Sequence, residues 1–241
     1  MARLDLAYDG TDFYGYARQP GLRTVQGEIE AALAVVFHAP IETDVAGRTD
    51  AGVHARQQVV SFTAPWPVTE RRVVGRLNRL VPPDLVVLSA SDTDPDFHAR
   101  FSAKSRTYKY RILNAPLPDP LLRRTQWHVP NELDLDSMNR AAVHLLGQHD
   151  FSSLCRRSEG RSRERTVLSA AWTRSGDLVE FSVTAVAFCH QMVRSMVALC
   201  VDVGIGKKSA AEVPAILAAR NRNVASGAAP PQGLTLWSVA Y

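Results

Sequence analysis

The chain has 241 residues, of which 46% are hydrophobic and 22% are charged, so it can bury the core of one large domain or two modest ones. This composition excludes a disordered tail protein. Its 28 basic and 24 acidic residues leave a net charge of +4, and all but four of the basic residues are arginine. Arginine suits phosphate and stacks on bases, although a high-GC genome produces the same bias.

The three cysteines, Cys155, Cys189 and Cys200, include no C-x-x-C pair, which argues against a disulfide framework and a structural zinc site. A reducing compartment suits them best. The N-terminal MARLDLAYDG places acidic residues where a signal peptide needs its apolar run, and the apolar stretches are far shorter than the ~20 residues that span a bilayer. We therefore expect a cytoplasmic protein that does not associate with membranes.

Hydrophobic periodicity predicts a mixed order of elements in the first part of the chain. The predicted elements are a strand at 3–8, a helix at about 24–38, strands at 41–46 and 57–62, a helix at 70–80 and a strand at 85–90. The glycines, aspartates and proline of DGTDFYGYARQPG predict a loop after the first strand.

The second part of the chain repeats this mixture of strands and helices. The predicted elements are a strand at 105–113, a helix at about 135–146, strands at 166–174 and 178–188, helices at 189–203 and 210–221, and a strand at 234–241. We therefore expect an α+β protein of two similar halves, residues 1–104 and residues 105–241. Sequence identity between the halves is not visible.

The densest polar segment is AGRTDAGVHA, residues 46–55, between two predicted strands. A turn needs glycine and one aspartate, but it does not need the combination of Arg48, Thr49, Asp50 and His54. A free aspartate is ionised at neutral pH, and a carboxylate held in a fixed turn can act as a nucleophile or a base. The alternative is an Asx-type turn in which the Asp50 side chain caps backbone amides.

A second candidate is the predicted strand RTYKYR, in which alternate residues face opposite sides. One side receives Arg106, Tyr108 and Tyr110, and the other receives Thr107, Lys109 and Arg111. Interleaved rings and cations suit single-stranded RNA, because splayed bases stack on rings while phosphates meet Arg and Lys. The alternative is a core strand whose basic side chains extend to solvent.

Arginine is also clustered elsewhere, in a pattern that can follow a phosphate backbone. One cluster lies in SLCRRSEGRSRER and another shares a predicted helix face: Arg156, Arg157, Arg161, Arg163 and Arg165, and Arg72, Arg76 and Arg79. Taken singly, the first cluster is explained by a loop and the second by a solvated helix face. Their repetition on one chain favours a nucleic acid as the partner.

Arg194 lies in the otherwise apolar run FCHQMVRSMV. A buried guanidinium there requires an acidic partner or an anionic ligand, and the alternative is an arginine at the edge of the apolar face. Cys189 and His190 are adjacent on the predicted helix and cannot point the same way, so we expect no cysteine nucleophile. The histidines form no H-x-x-x-H or H-E-x-x-H pattern, so no metal site is indicated.

Taken in order, seven motifs resemble the bacterial tRNA pseudouridine synthase A family. They are AYDGTDFYGYARQP, TVQGEIEAAL, AGRTDAGVHA, DFHARFSAKSRTYKYRILN, LLGQHDFSSL, AFCHQMVRSMV and GLTLWSVAY. The match runs almost from end to end. The resemblance implies the pseudouridine synthase fold, in which two ferredoxin-like halves with antiparallel sheets join around a central basic cleft.

The same resemblance implies a homodimer that isomerises uridine to pseudouridine at positions 38, 39 and 40 in the tRNA anticodon arm, without a metal or a cofactor. Asp50 would be the catalytic aspartate, and Tyr108 the ring that packs on the target uridine. Arg48 and Arg194 would surround the catalytic carboxylate. The arginines expected to contact RNA are Arg106, Arg111, Arg156, Arg157 and Arg161.

Two functions from other classes are alternatives. A non-catalytic RNA-binding protein would use the same cleft, but the presence of Arg48, Asp50 and Tyr108 argues against a degenerate copy. A metal-dependent nuclease would use Asp50 with Asp44 or with the acidic run at 92–96, which we expect to be a solvated loop.

Overall fold

The computed structural model describes residues 1–68, 70–156 and 162–241, without the side chains of residues 70–72. The chain divides into two compact units, one of Met1–Lys104 with Thr235–Tyr241 and the other of Ser105–Leu234. Residues 235–241, which the sequence assigned to the second half, belong to the first unit. The reason is that the last strand pairs with a strand of that unit.

The first unit contains a sheet with two helices. Its elements are β1 (Ala2–Tyr8), α1 (Val25–Phe37), β2 (Asp44–Val45), β3 (His54–Phe62), α2 (Glu70–Leu77) and β4 (Leu85–Asp92). β1 lies between β3 and β4 and runs antiparallel to both, while β2 pairs antiparallel with β3. The sheet therefore places the β2–β3 connection, which carries Asp50, at the end of a central strand.

Local sequence explains the first two elements. The residues of β1 alternate between buried and half-buried, as the pattern at 3–8 predicted. α1 begins after Thr24, whose side chain accepts a hydrogen bond from the Gly27 amide, and it ends at His38 in the left-handed region. β2 is much shorter than the predicted strand at 41–46.

The second unit also combines strands with helices. Its elements are β5 (Ser105–Leu113), β6 (Trp127–His128), α3 (Leu135–Val143), β7 (Gly147–Asp150), β8 (Glu164–Ser175), β9 (Leu178–Ala185), α4 (Met192–Gly204) and α5 (Val213–Ala218). Antiparallel pairs join β5 to β9, β9 to β8 and β8 to β7, whereas β6 runs parallel to β5. The chain closes with β10 (Leu234–Ala240), which pairs in parallel with β3.

The predicted α+β class is confirmed, but each unit adds a parallel pair to its antiparallel strands. α4 begins three residues later than predicted because Gln191 has a φ of 64° and ends the turn before it. The predicted helix at 210–221 is divided into a 3-10 turn and a short α5. None of the helices within the described ranges is long and apolar enough to cross a membrane.

Cys155 and Cys189 form a disulfide, with their Cα atoms 5.8 Å apart. The expectation of no disulfide was therefore wrong, because the two cysteines are 34 residues apart in sequence and only the fold brings them together. Cys200 is a buried free thiol, and burial raises its pKa to about 12.

Candidate active site

Three buried polar side chains fix the loop that carries Asp50. The Tyr8 hydroxyl lies 2.8 Å from Thr49 Oγ1, and Gln58 Nε2 donates to the Gly47 carbonyl at 2.7 Å and to the Tyr8 hydroxyl at 3.2 Å. Tyr8 belongs to β1 and Gln58 to β3, so both start from the rigid sheet. The residues on either side of Arg48 are thereby held to two strands.

Burial of this anchor keeps it uncharged. The Tyr8 side chain is buried, and this desolvation raises its pKa to about 12 despite the opposing hydrogen bonds with Thr49 and Gln58. The phenol is therefore protonated throughout the physiological range, and its contact with Thr49 does not depend on pH there.

The loop that follows β1 packs directly on the Asp50 loop. Gly10 N donates to His54 Nδ1 at 3.0 Å, and Tyr16 N donates to the Thr49 carbonyl at 3.0 Å. A Cβ at Gly10 would lie 2.0 Å from the carbonyl oxygen of Val53. Glycine is required at position 10 because the two backbones approach too closely for any side chain.

Asp50 itself is half-buried between these contacts. The turn at this position is closed by the backbone, because Val53 N donates to the Asp50 carbonyl at 3.1 Å. The backbone therefore contributes to closing the turn that carries the Asp50 side chain. Arg48, two residues earlier, is exposed.

Tyr108 lies in the middle of β5 in the second unit. The predicted division of faces is confirmed: Arg106, Tyr108 and Tyr110 are buried, and the residues between them are half-buried. The Phe188 ring packs edge-on against Tyr108 with centroids 5.1 Å apart. Arg106 donates from Nη1 to the Val186 carbonyl at 2.9 Å, which favours a positioning role for its guanidinium.

The opposite face of β5 carries cations that are already paired. Glu180 of β9 receives Lys109 Nζ at 2.7 Å and Arg111 Nε at 2.9 Å. Although partial burial opposes it, these hydrogen bonds hold the pKa of Glu180 below its usual value. The sequence pattern revealed the two cations but not the carboxylate on the neighbouring strand, which reduces the charge that Arg111 presents to RNA.

Arg194 is half-buried in α4, most of whose other residues are buried. Its Nε donates to the Ala229 carbonyl at 2.7 Å, and the Ala229 amide donates to the Arg194 carbonyl at 3.0 Å. These reciprocal bonds fasten the helix to the segment that precedes β10. The guanidinium is therefore held in place from one side.

The remaining predicted arginines are described only in part. Arg156 is exposed, and its amide donates to the His190 carbonyl at 2.9 Å. Arg157 and Arg161 lie outside the described residues, as does the side chain of Arg72.

Two acidic residues of the nuclease alternative, Asp92 and Asp44, have structural contacts. The Asp92 carboxylate accepts from the Val68 amide at 3.1 Å, and Asp44 lies 3.4 Å from His98 Nε2. No group of three or more His, Cys, Asp or Glu side chains in the described ranges is placed to hold a metal ion.

Comparison with known proteins adds the decisive observation. Residues 6–102 and 141–241 match the family model of tRNA pseudouridine synthase. The chain belongs to this family. The two matched stretches contain both the Asp50 loop with its anchors and α4 with Arg194. Tyr108 and Arg106 fall between them, so the expectation for these two residues rests on the sequence motif alone.

Curated relatives agree over almost the whole chain. Proteins named tRNA pseudouridine synthase A are 46% identical in Halalkalibacterium halodurans, 44% in Leifsonia xyli and 41% in Bacillus subtilis. These alignments cover 96%, 99% and 98% of this chain and 89%, 91% and 97% of the relatives. The chain is therefore similar to these synthases in length as well as in sequence.

Sequence reasoning missed the residues that hold the site. Tyr8 was visible only as a core position of a strand, and Gln58 only as part of another strand. Glu180 belongs to no recognisable sequence motif. Their functions depend on strand pairing, so no signal along the chain distinguishes them from ordinary strand residues.

Proposed function

We propose that this chain isomerises uridine at positions 38, 39 and 40 in the anticodon arm of tRNA, with Asp50 as the catalytic carboxylate. Family membership makes it a tRNA pseudouridine synthase, an isomerase that converts uridine to pseudouridine in tRNA. The choice of Asp50 is supported by its place in the AGRTDAGVHA motif and by one observation: Tyr8 and Gln58 hold its loop to the sheet. A carboxylate on a fixed loop meets the geometric demand of catalysis.

The reaction requires a nucleophile or a base, and it involves no net redox chemistry. The C1′–N1 bond of uridine breaks, the uracil rotates, and C1′ bonds to C5. The proton lost from C5 is balanced by a proton gained at N1, so the reaction is an isomerisation without net oxidation. Asp50 can attack C1′, add to C6 of the ring, or remove the 2′ proton, and each route uses a carboxylate as nucleophile or base.

The target uridine has to leave the base stack before any of these steps. We assign Tyr108 to pack on the extruded uracil, and Arg48 and Arg194 to the surroundings of the catalytic carboxylate. The edge-on contact with Phe188 supports Tyr108, because it fixes the plane of the ring. The bonds to Ala229 support Arg194, because they hold its guanidinium.

The proposed partner is tRNA bound by a homodimer in the cytoplasm. Two chains of net charge +4 carry twice that charge, which favours binding to a polyanion. The arginines proposed to meet the phosphate backbone are Arg106, Arg111, Arg156, Arg157 and Arg161. Arg156 is the best placed of the described members because it is exposed, whereas Arg106 is buried and Arg111 is paired with Glu180.

The direct test is release of tritium from tRNA whose uridines are labelled at C5. We expect release by the wild-type protein and none by Asp50→Asn. Asp44→Asn, which changes an exposed aspartate just before the same loop, is the matched control and should keep the wild-type rate. Transcripts with a single uridine at position 38, 39 or 40 identify the accepted sites.

Two results would contradict the proposal. Release by Asp50→Asn at the wild-type rate would remove Asp50 from the chemistry, and no release by the wild type would favour the binding-protein alternative. Cleavage of tRNA that stops when a chelator is added would support the nuclease alternative instead.

A further inference from the structure

A buried carboxylate to which no function has been assigned lies in α1. The Glu30 side chain is only 6% exposed, and it stands among the apolar residues that α1 buries in the first unit. Glutamate is rarely found at such a position, because a buried charge is costly unless donors surround it. The partners of Glu30 therefore indicate what it does there.

Four donors surround the two oxygens of this carboxylate. Glu30 Oε1 accepts from Thr43 N at 2.9 Å, from Thr43 Oγ1 at 2.8 Å and from Gln26 Nε2 at 2.9 Å. Glu30 Oε2 accepts from Arg18 Nη2. Both oxygens are thus occupied, and three of the four donors come from segments outside α1.

Gln26, one turn earlier in α1, holds the same neighbouring segment by its backbone. Its side-chain oxygen accepts from Arg18 N at 3.0 Å, and its amide donates to the Tyr16 carbonyl at 2.9 Å. Since its Nε2 donates to Glu30, the two side chains support each other. We call these two residues, together with Arg18 and Thr43 that they hold, the Glu30 clamp.

Both segments held by the Glu30 clamp lead to the Asp50 loop. Tyr16 N donates at 3.0 Å to the carbonyl of Thr49, the residue before Asp50. Thr43 directly precedes β2, from which the chain continues into the loop. The clamp therefore holds the loop from α1, at its beginning and beside the carboxylate, whereas the anchor of Tyr8 and Gln58 holds it from the sheet.

The charge of Glu30 is what allows four donors to meet at one side chain. A glutamine has the same size, but it offers one acceptor oxygen and one NH2 group that donates. At this position the NH2 group would face a second donor, and one bond of the clamp would be lost. A carboxylate is therefore required to hold both segments at once.

We propose that Glu30 is a positioning residue for the isomerisation of uridine, which acts through Thr43, Arg18 and Tyr16 on the place of the Asp50 carboxylate. The inference rests on the proposed function, because it takes Asp50 as the catalytic carboxylate. It assigns a function to a helix residue that does not itself touch the substrate.

Kinetics of Glu30→Gln, with tRNA binding measured separately, test this function. The variant keeps the volume of the side chain but releases part of the clamp. Because an error of 1 Å in position costs on the order of 100-fold in rate, we expect kcat for tritium release to fall by about 10- to 100-fold. The Kd for tRNA should change by less than about twofold, since phosphate contacts supply most of the affinity. A purely structural residue would instead lower the folded fraction and leave kcat of the folded protein unchanged.

Thr43→Val is a milder second variant. It removes the hydroxyl that donates to Glu30 Oε1 and leaves the bond from Thr43 N in place. The loss of one hydrogen bond should lower kcat by about fivefold. In the double variant with Glu30→Gln, the two effects on kcat should not multiply, because both act on the same bond. If Glu30→Gln does not fold, Thr43→Val decides, and an unchanged kcat would then overturn the inference.

Two substitutions in α1 serve as controls. Glu28→Gln removes the same charge from the same helix, at a partly exposed position where the carboxylate lies 3.2 Å from Arg23 Nε. Ile29→Val removes a methylene group from a fully buried side chain, so it lowers thermal stability without touching the clamp. Both variants should keep the wild-type kcat and Kd.

Hydrogen exchange adds a readout that does not depend on activity. Peptides covering residues 14–20 and 43–50 should exchange about tenfold faster in Glu30→Gln than in the wild type, and at the wild-type rate in Glu28→Gln. Faster exchange with an unchanged kcat would overturn the inference and leave the proposed function intact. Equal losses of kcat in Ile29→Val and Glu30→Gln would also overturn it. No tritium release by the wild type would instead be a failure of the proposed function itself.

Discussion

Replacing Gly10 by alanine tests whether close contact between two loops positions Asp50. The added Cβ would lie 2.0 Å from the Val53 carbonyl oxygen, 2.5 Å from its carbonyl carbon and 3.0 Å from its nitrogen. All three are backbone atoms, so no side chain can rotate away. To restore ordinary contact distances, one loop has to move by more than about 1 Å.

That displacement acts on the catalytic loop, because Val53 N bonds to the Asp50 carbonyl and Gly10 N bonds to His54. A 1 Å error in position costs on the order of 100-fold in rate, and overpacking costs about 1–3 kcal/mol of stability. We expect Gly10→Ala to lower kcat in the tritium-release assay by about 100-fold at a temperature where the protein is folded.

The control is Gly75→Ala, because a Cβ at this position in α2 meets nothing within 4 Å. It should keep wild-type activity and gain about 0.5–1 kcal/mol of stability. A Gly10→Ala protein with wild-type kcat and unchanged thermal stability would refute the argument that the two loops position Asp50.

Two further predictions concern pH and thiol chemistry. In the folded protein the pKa of Tyr8 is raised to about 12, so its contribution to stability is complete below pH 10 and is lost as pH rises towards 12. Between these pH values, the free energy of unfolding measured by denaturant titration should therefore fall less for Tyr8→Phe than for the wild type. The Cys155–Cys189 disulfide spans 34 residues, so replacing both cysteines by serine should lower the unfolding free energy of the oxidised protein by about 3–4 kcal/mol. Alkylation of the unreduced, denatured protein should label Cys200 alone, and labelling of all three cysteines would contradict the pairing.

The sequence could predict the elements whose signal is local. The α1 helix was predicted to within a residue at each end because a capping threonine precedes regularly spaced apolar residues. β5 was predicted with the correct bounds because its alternation is regular. By contrast, β6 and β7 are too short to show a period, and they are strands only because neighbouring strands supply their hydrogen bonds.

The residues of the candidate site also divide into those that the sequence predicts and those that it does not. Asp50 was predictable because it combines a glycine-flanked turn with a motif. Its supports were not, because Gln58 is 11 residues from Gly47 and Tyr8 is 41 residues from Thr49, and only strand pairing brings each pair together. The Cys155–Cys189 pair escaped prediction for the same reason.

Pairing, more than the number of arginines, decides which of them can bind RNA. Arg111 and Lys109 share Glu180, so much of their charge is balanced within the sheet. Arg156, by contrast, is exposed. A net charge of +4 cannot distinguish these cases. Because a guanidinium that is already paired with a carboxylate displaces few counterions from RNA, the exposed Arg156 should contribute more to the salt dependence of tRNA binding than the paired Arg111.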